Sequence, residues 1–339
     1  MLTLVTGGNG FIGRAIVEQL LARGDRVRVI GRHDYPELAA RGVECLRANL
    51  AAPDANAVLA TALRGVELVF HVAAKAGVWG PFDEYYRNNV TATQRVVRAA
   101  ERAGVPKLVF TSSPSVVFGE EDVEGADESR PYPERYLSHY QHTKALAERF
   151  VLAREAIATT AIRPPLVWGP GDPHLFPRIL ARARAGRLVQ IGDGTNKVDI
   201  TYVENCAEAH LLAGDRLGEH SPLRGRAYFI GQEQPVNLWA FINEVVTRAG
   251  YRPVRRKISL KRAIQIATLF ERTYELLGIP AEPPLTRLTA VQLARSRWFD
   301  LSAARCDLGY GPRISTEEGL RRTLAALGGG SGKPRFPIL

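Results

Sequence analysis

Leu2-Thr3-Leu4-Val5-Thr6-Gly7-Gly8-Asn9-Gly10-Phe11-Ile12-Gly13 opens the chain, and its reading decides the fold. Leu2–Thr6 is a short apolar run suited to a buried strand, and Gly7, Gly10 and Gly13 punctuate the turn behind it. Phe11, Ile16, Leu20 and Leu21 then recur at helical spacing. Strand, glycine turn and helix in this order let the backbone approach a pyrophosphate, whose charge rests at the helix N-terminus. A tight β–α turn without a ligand would use the same glycines. Their place between strand and helix favours the dinucleotide site. Gly7, Gly10, Phe11, Ile12 and Gly13 are therefore candidate cofactor contacts.

The second strand, Arg26–Ile30, ends in Gly31-Arg32-His33. An acidic residue there would accept hydrogen bonds from the adenosine ribose hydroxyls. Arg32 instead offers a planar fork to a 2′-phosphate. The expected cofactor is NADPH/NADP+ rather than NAD+/NADH, with Asp34 nearby as the opposing signal. A strand near Glu44–Ala48 leads to Asn49 and Leu50, candidate adenine contacts, and Glu67–Val72 is the next buried strand. Ala73 and Ala74 behind it are small enough for a cofactor to pass over, and His71 reads as a hydrogen-bonded core histidine. Lys75–Tyr86, with Gly77, Gly80 and Pro81, is an irregular segment after a parallel strand; Lys75, Val78 and Trp79 are its candidate substrate contacts.

Asn88-Asn89 reads as the cap of a helix reaching Ala103, with Asn89 also within range of the site. Lys107–Thr111 is a fifth strand, and Thr111-Ser112-Ser113 stands at its C-terminal end, where open α/β sheets bind ligands. The Ser113 hydroxyl either donates to a carbonyl oxygen or satisfies the strand end. After a polar, proline-containing loop (Glu120–Arg135), Tyr140 and Lys144 lie one turn apart on one helical face. A nearby ammonium favours the phenolate and suits the pair to proton transfer near neutrality. A half-buried tyrosine over a solvated lysine would have the same spacing.

The alternation of strands and helices up to Thr159–Arg163 implies an α/β fold of Rossmann type, a doubly wound parallel sheet. Beyond it the alternation fades into a smaller, mostly helical C-terminal substrate lobe. The expected boundaries are a dinucleotide domain at 1–165 with a return near 198–217, a lobe at 166–197 and 218–327, and a flexible tail at 328–339. Ile258–Leu277 mixes Lys and Arg with Ile, Leu and Phe. It could lie on a membrane or a partner, and packing its apolar face inward is the favoured reading.

With 339 residues, 45% hydrophobic and 24% charged, the chain has the composition of a globular protein with a substantial core. Its apolar runs are too short to span a bilayer, and Met1 leads straight into a strand, so neither a transmembrane segment nor a leader is expected. Cys45, Cys206 and Cys306 have neither metal-ligand spacing nor a disulfide framework, which points to a reducing cytoplasm and no metal. The net charge of +10 fits a solvated basic surface first, and otherwise an anionic substrate, an acidic partner or an anionic membrane. No nucleic-acid motif accompanies it.

Thr6-Gly7-x-x-Gly10-x-x-Gly13, Thr111-Ser112-Ser113 and Tyr140-x-x-x-Lys144, followed by Arg163-Pro164 and Trp168-Gly169-Pro170-Gly171, resemble the extended short-chain dehydrogenase/reductase family, in its 3β-hydroxysteroid dehydrogenase-like branch. Phe70–Gly80, Val189–Asp199 and Glu282–Arg287 are similar to the bacterial 2-alkyl-3-oxoalkanoate reductases of long-chain olefin biosynthesis. The resemblance implies hydride delivery from a nicotinamide to a ketone while Tyr140 protonates the developing alkoxide. Ser113 would hold the carbonyl oxygen, Lys144 would lower the Tyr140 pKa and bind the nicotinamide ribose, and Asn89 would support a proton relay. It also implies a fatty 2-alkyl-3-oxo acid as substrate. Pro165 and Val167 are further candidate cofactor contacts, a homodimer in the cytoplasm or at a membrane periphery is expected, and an assembly role, with the basic helical lobe docking other enzymes of that pathway or a membrane, is a competing expectation. Steroid or sterol dehydrogenation, nucleotide-sugar epimerisation and a non-enzymatic NADPH-binding subunit are the competing expectations. Two positions depart from the pattern: Asn49 stands where the family usually has Asp, and Pro114 follows the serines in place of a small residue.

Overall fold

The computed structural model describes residues 1–328. Seven parallel strands form the central sheet: β1 (Leu2–Thr6), β2 (Arg26–Gly31), β3 (Glu44–Arg47), β4 (Leu68–His71), β5 (Lys107–Thr111), β6 (Ala158–Arg163) and β7 (Arg226–Phe229). Their spatial order is 3-2-1-4-5-6-7. The order reverses between β1 and β4, which places a crevice beyond the C-terminal ends of these two strands. Thr6 is in register with both Ile30 and His71, and Thr111 with Ile162, so the functional strand ends share one edge.

Neighbouring residues on each strand feed opposite faces of the sheet, as the pleat requires. Val5, Val29, Phe70, Val109 and Ile162 meet helices α1 (Phe11–Ala22) and α4 (Val203–Arg216) on one face. Leu4, Ile30, Val69, Phe110 and Ala161 meet α2 (Ala92–Arg102) and α3 (His139–Leu152) on the other. Both faces are dry, which explains why the strands read as continuous apolar runs.

The second core gathers Trp168, Phe176, Tyr202, Phe241 and Ile242 beneath the C-terminal helices. β7 falls within the range 218–327 read from sequence as lobe, yet it extends the large sheet beside β6. The Glu120–Arg135 loop is not wholly irregular: Val123–Ala126 pairs with Arg297–Phe299 in a four-stranded sheet. That pairing joins residues too far apart in sequence for local pattern to reveal. The helix read as opening at Asn88-Asn89 begins at Phe82, and Tyr86–Thr91 is a π-helical turn leading into α2. Of the flexible tail expected at 328–339, Gly328 ends the helix Thr316–Gly328 and the rest lies outside the described residues.

Helix α5 (Leu260–Leu276) only partly follows the inward-packing reading. Leu260 and Ile264 pack on the second core, but its fully buried positions are Ala263 and Ala267, and Glu271 is also buried. Its bulkier residues Ile266, Leu269 and Leu276 face out. Among the described residues no helix is long and apolar enough to cross a membrane.

Candidate active site

The glycine turn is packed closely on its own backbone and on Ala73, which only glycine allows. A Cβ at Gly13 would collide with the Gly7 carbonyl oxygen, and Gly7 holds a φ of +67°, where a Cβ would fall 3.0 Å from the Ala73 Cα. Gly10 N–H donates to the Gly7 carbonyl at 2.8 Å, and Gly10 caps α1 with no acidic residue in the first helical turn. The backbone at this N-terminus is therefore bare and free of competing charge, which fits a pyrophosphate. A groove of about 810 Å³ on the outer side of the turn is lined by Asn9, Phe11, Arg14, Pro170 and Val203, and by none of Ser113, Tyr140 and Lys144. It lies beside the cradle, away from the candidate chemistry.

At the end of β2, Arg32 is exposed, and the opposing signal Asp34 is engaged by Arg47 at 3.7 Å. Asn49 is exposed and turns its Oδ1 onto the Ala51 N–H, whereas Leu50 is buried against the sheet. Ile12 packs on the first core; Pro165 is buried, and Val167 pairs with Thr201 beyond the end of β6.

His71 ties the glycine turn to β4 and α2. Thr93 Oγ1 donates to the Asn89 carbonyl at 2.6 Å, so it accepts from His71 Nε2 at 2.9 Å. His71 Nδ1 then accepts from Thr6 Oγ1 at 2.7 Å, and Thr6 Oγ1 accepts the Val72 and Ala73 N–H groups at 3.1 Å. Burial, aided by the Lys144 charge, pulls His71 down to about 3, so it stays a neutral core histidine as expected.

Asn89 is buried in the π-helical turn. Its Oδ1 accepts the Lys75 N–H at 2.7 Å, and its Nδ2 donates to the Lys75 carbonyl and to Thr143 Oγ1, each at 3.1 Å. Both ends of the amide are thus used to clip the Lys75 backbone to α3. The Lys75 ammonium pairs with Glu84 at 2.6 Å, above the Tyr85 ring. Tyr85 donates to the Trp79 carbonyl at 3.0 Å, and Trp79 meets Tyr274 of α5 edge-on at 6.5 Å. Val78 and Trp79 are half-buried in this folded loop. Burial first, then Glu282 and Glu84, pushes the Tyr85 phenol up to about 12. Phe82 and Tyr85 meet the ring of His139, the residue before Tyr140, at 5.5 and 6.5 Å, so the loop borders the Tyr140 side of the site.

Ser138 caps α3 by accepting the Gln141 N–H at 3.2 Å, which fixes the start of the helix carrying Tyr140 and Lys144. Ser113 caps a short 3-10 turn, Pro114–Val117, and its Oγ lies 2.9 Å from Ser115 Oγ. Pro114 occupies the first position of that turn, where its missing N–H costs nothing. Ser113 and Tyr140 are neighbours: burial raises the phenol above its ordinary value, and the Ser113 side chain beside it opposes the rise.

The expected lowering of the Tyr140 pKa by Lys144 is not found in this arrangement. Lys144 Nζ donates to the Thr111 carbonyl at 2.7 Å and lies 4.1 Å from the centre of the Phe110 ring. Burial pulls its ammonium down to about 7, with the Glu148 charge pulling upward. Desolvation thus dominates both the lysine and the phenol.

Glu148, one turn beyond Lys144, was missed by the sequence reading. It is fully buried, accepts Arg163 through both oxygens at 2.7 and 3.0 Å, and accepts the Tyr132 hydroxyl at 2.7 Å. The signal was legible: Tyr140, Lys144 and Glu148 continue one stripe at four-residue spacing. Thr143 lies between the first two on the same side. Thr93, Ser115 and Tyr85 had no such signal, because their partners come from other elements.

Residues 4–262 match the description 3-beta hydroxysteroid dehydrogenase/isomerase family. The chain belongs to this family. It is 45% identical to the 2-alkyl-3-oxoalkanoate reductase of Stenotrophomonas maltophilia over 96% of this chain and 99% of that protein. It is 41% identical to the protein of the same name from Shewanella oneidensis, over 95% and 85%. The 3 beta-hydroxysteroid dehydrogenase/Delta 5-->4-isomerase of Mycobacterium tuberculosis is 35% identical over 95% and 89%. Among solved structures, gox2253 superposes with a TM-score of 0.78 at 29% identity, covering 98% and 99%. MoeE5 in complex with UDP-glucose and NAD superposes at 0.72 and 29%, covering 96% and 98%. This family member is an oxidoreductase acting on a hydroxyl or oxo group, with a nicotinamide dinucleotide as its class of cofactor.

Proposed function

We propose that the chain reduces a 2-alkyl-3-oxoalkanoate to the 2-alkyl-3-hydroxyalkanoate with NADPH, in long-chain olefin biosynthesis. The observation that carries this reading is the near full-length similarity to two reductases of that name. The pairing of Asp34 with Arg47 supports NADPH, because it leaves the exposed Arg32 as the free fork at the end of β2 among the described residues. The bare N-terminus of α1, Gly7, Gly13 and Ala73 would hold the dinucleotide, with Arg32 on its 2′-phosphate.

When bound, the cofactor supplies the hydride. Ser113 donates a hydrogen bond to the substrate carbonyl oxygen, and Tyr140 gives that oxygen its proton. The raised phenol pKa keeps Tyr140 protonated at neutrality, so the proton is in place before the oxyanion develops. Lys144, titrating near 7, is the group suited to restore it. Asn89 acts by fixing the Lys75 backbone to α3, and Lys75, Val78 and Trp79 form the substrate side. A homodimer, and assembly with other enzymes of the route, belong to the same proposal and are tested by sedimentation of the chain alone and with them.

The relatives named for 3β-hydroxysteroids favour a sterol substrate as the second reading. NADP+ reduction with a panel of 2-alkyl-3-hydroxy acids, 3β-hydroxysteroids and UDP-sugars separates the two. Turnover is expected with the hydroxy acids, with kcat/KM higher for NADP+ than for NAD+. Turnover confined to steroids or sugars would refute the substrate, and an NAD+ preference would refute the cofactor.

A further inference from the structure

Helix α5 turns Leu260 and Ile264 toward the second core but leaves other large apolar side chains on its outer face. Its fully buried positions are alanines, Ala263 and Ala267, while Ile266, Leu269 and Leu276 are 38%, 66% and 87% exposed, with Leu277 behind them at 65%. Steps of three, four and seven residues put Ile266, Leu269 and Leu276 on one outward stripe with Arg262. The leucines of this stripe, with Leu277, form an exposed apolar patch along the second half of the helix, the kind of surface that is covered by something outside the chain.

The charges around the stripe say what covers it. Lys261, Arg262 and Arg272 are exposed on the helix, and Arg255, Arg256 and Lys257 are exposed just before it. The carboxylate of Glu271 is turned inward and held by Arg287 at 2.6 Å, which leaves Glu275 as the exposed acid of the helix. A second copy on the same face would bring these cations against their own counterparts across a two-fold axis. An anionic bilayer would instead receive the leucines below its headgroups and the basic rim at their level.

We propose that α5 docks the protein on the surface of an anionic phospholipid membrane. The half-buried Trp79 touches Tyr274 of this helix and belongs to the loop bordering the candidate site, so the docked face adjoins its mouth. Loading of a two-chain fatty acid from the bilayer follows only if the substrate reading above holds. The docking itself rests on the helix alone, and is measured without substrate or cofactor.

The test is flotation of the full chain with vesicles of phosphatidylcholine, with and without phosphatidylglycerol. The wild type is expected to float with the anionic vesicles and to remain behind with pure phosphatidylcholine. Exchange of Leu269 and Leu276 for Ser together should lower the partition at least about tenfold, from the lost apolar burial. Exchange of Arg262 and Arg272 for Gln should lower it by roughly fivefold per residue, and added salt should act in the same direction. Failure of the wild type to float, equal partition into both vesicles, or unchanged partition in both variants would overturn the proposal. A dimer in sedimentation that the Leu269→Ser/Leu276→Ser variant dissociates would overturn it in favour of a second copy.

Discussion

Helices α3 and α5 break the usual inside-outside rule in opposite directions. α3 buries a lysine and a glutamate, Lys144 and Glu148; α5 buries Ala263, Ala267 and the Arg287-held Glu271, and leaves leucines in water. In α3 the buried charges are engaged: Lys144 by the Thr111 carbonyl, Glu148 by Arg163 and Tyr132. In α5 the leucines Leu269 and Leu276 stay 66% and 87% exposed. The difference teaches that a buried charge is explained by its partners within the chain, and an exposed apolar stripe by something outside it.

The largest effect that can break this contrast lies at the head of α3. Tyr140→Phe keeps the ring and removes the proton, so it should retain dinucleotide binding and lose about 10²- to 10⁴-fold in turnover. Steady-state rates beside a binding titration check it, and wild-type turnover would remove Tyr140 from the chemistry.

The next effect is on stability. Glu148→Gln leaves the buried Arg163 guanidinium without its anion, and breaking such a pair costs about 3–5 kcal/mol. Urea unfolding with an unchanged m-value measures it. A loss below about 1 kcal/mol would show that Arg163 finds another partner.

Lys144 provides a test by pH. Its folded pKa is depressed to about 7 by burial, so between about 7 and the unfolded value near 10.4 the unfolded chain binds more protons. Its contribution to stability therefore rises with pH across that window. The gap in Tm between wild type and Lys144→Met should shift in favour of the wild type from pH 7 to pH 9, below the range where buried tyrosines begin to act. A gap independent of pH would mean that Lys144 is not desolvated.

The sheet and the glycine turn were legible in the sequence because their signals are local: apolar runs, glycine spacing and a helical stripe within a dozen residues. The spacing of Tyr140 and Lys144 was equally local, but the field around them was not. Whether a lysine acidifies a phenol depends on where its ammonium points, and the Thr111 carbonyl that holds it comes from a different strand. The same limit applies to the Val123–Ala126 strand and to the Asn89 clip, each defined by a distant partner. For α5 the composition was visible as a mixture of basic and apolar residues, but the choice of buried face was made by the small space beneath Ala263 and Ala267.

That space gives the finest test of the comparison. Leu269→Ser acts on a side chain in water and should change stability by less than about 0.5 kcal/mol. Ala267→Leu, two residues earlier on the same helix, forces three carbon atoms into a closed contact and should cost about 1–3 kcal/mol. On hydrophobicity alone the order would be reversed, since one change removes a leucine and the other adds one. Urea midpoints for the two variants decide it: if Leu269→Ser proves the more costly, the stripe is covered within the monomer and the docking face is lost.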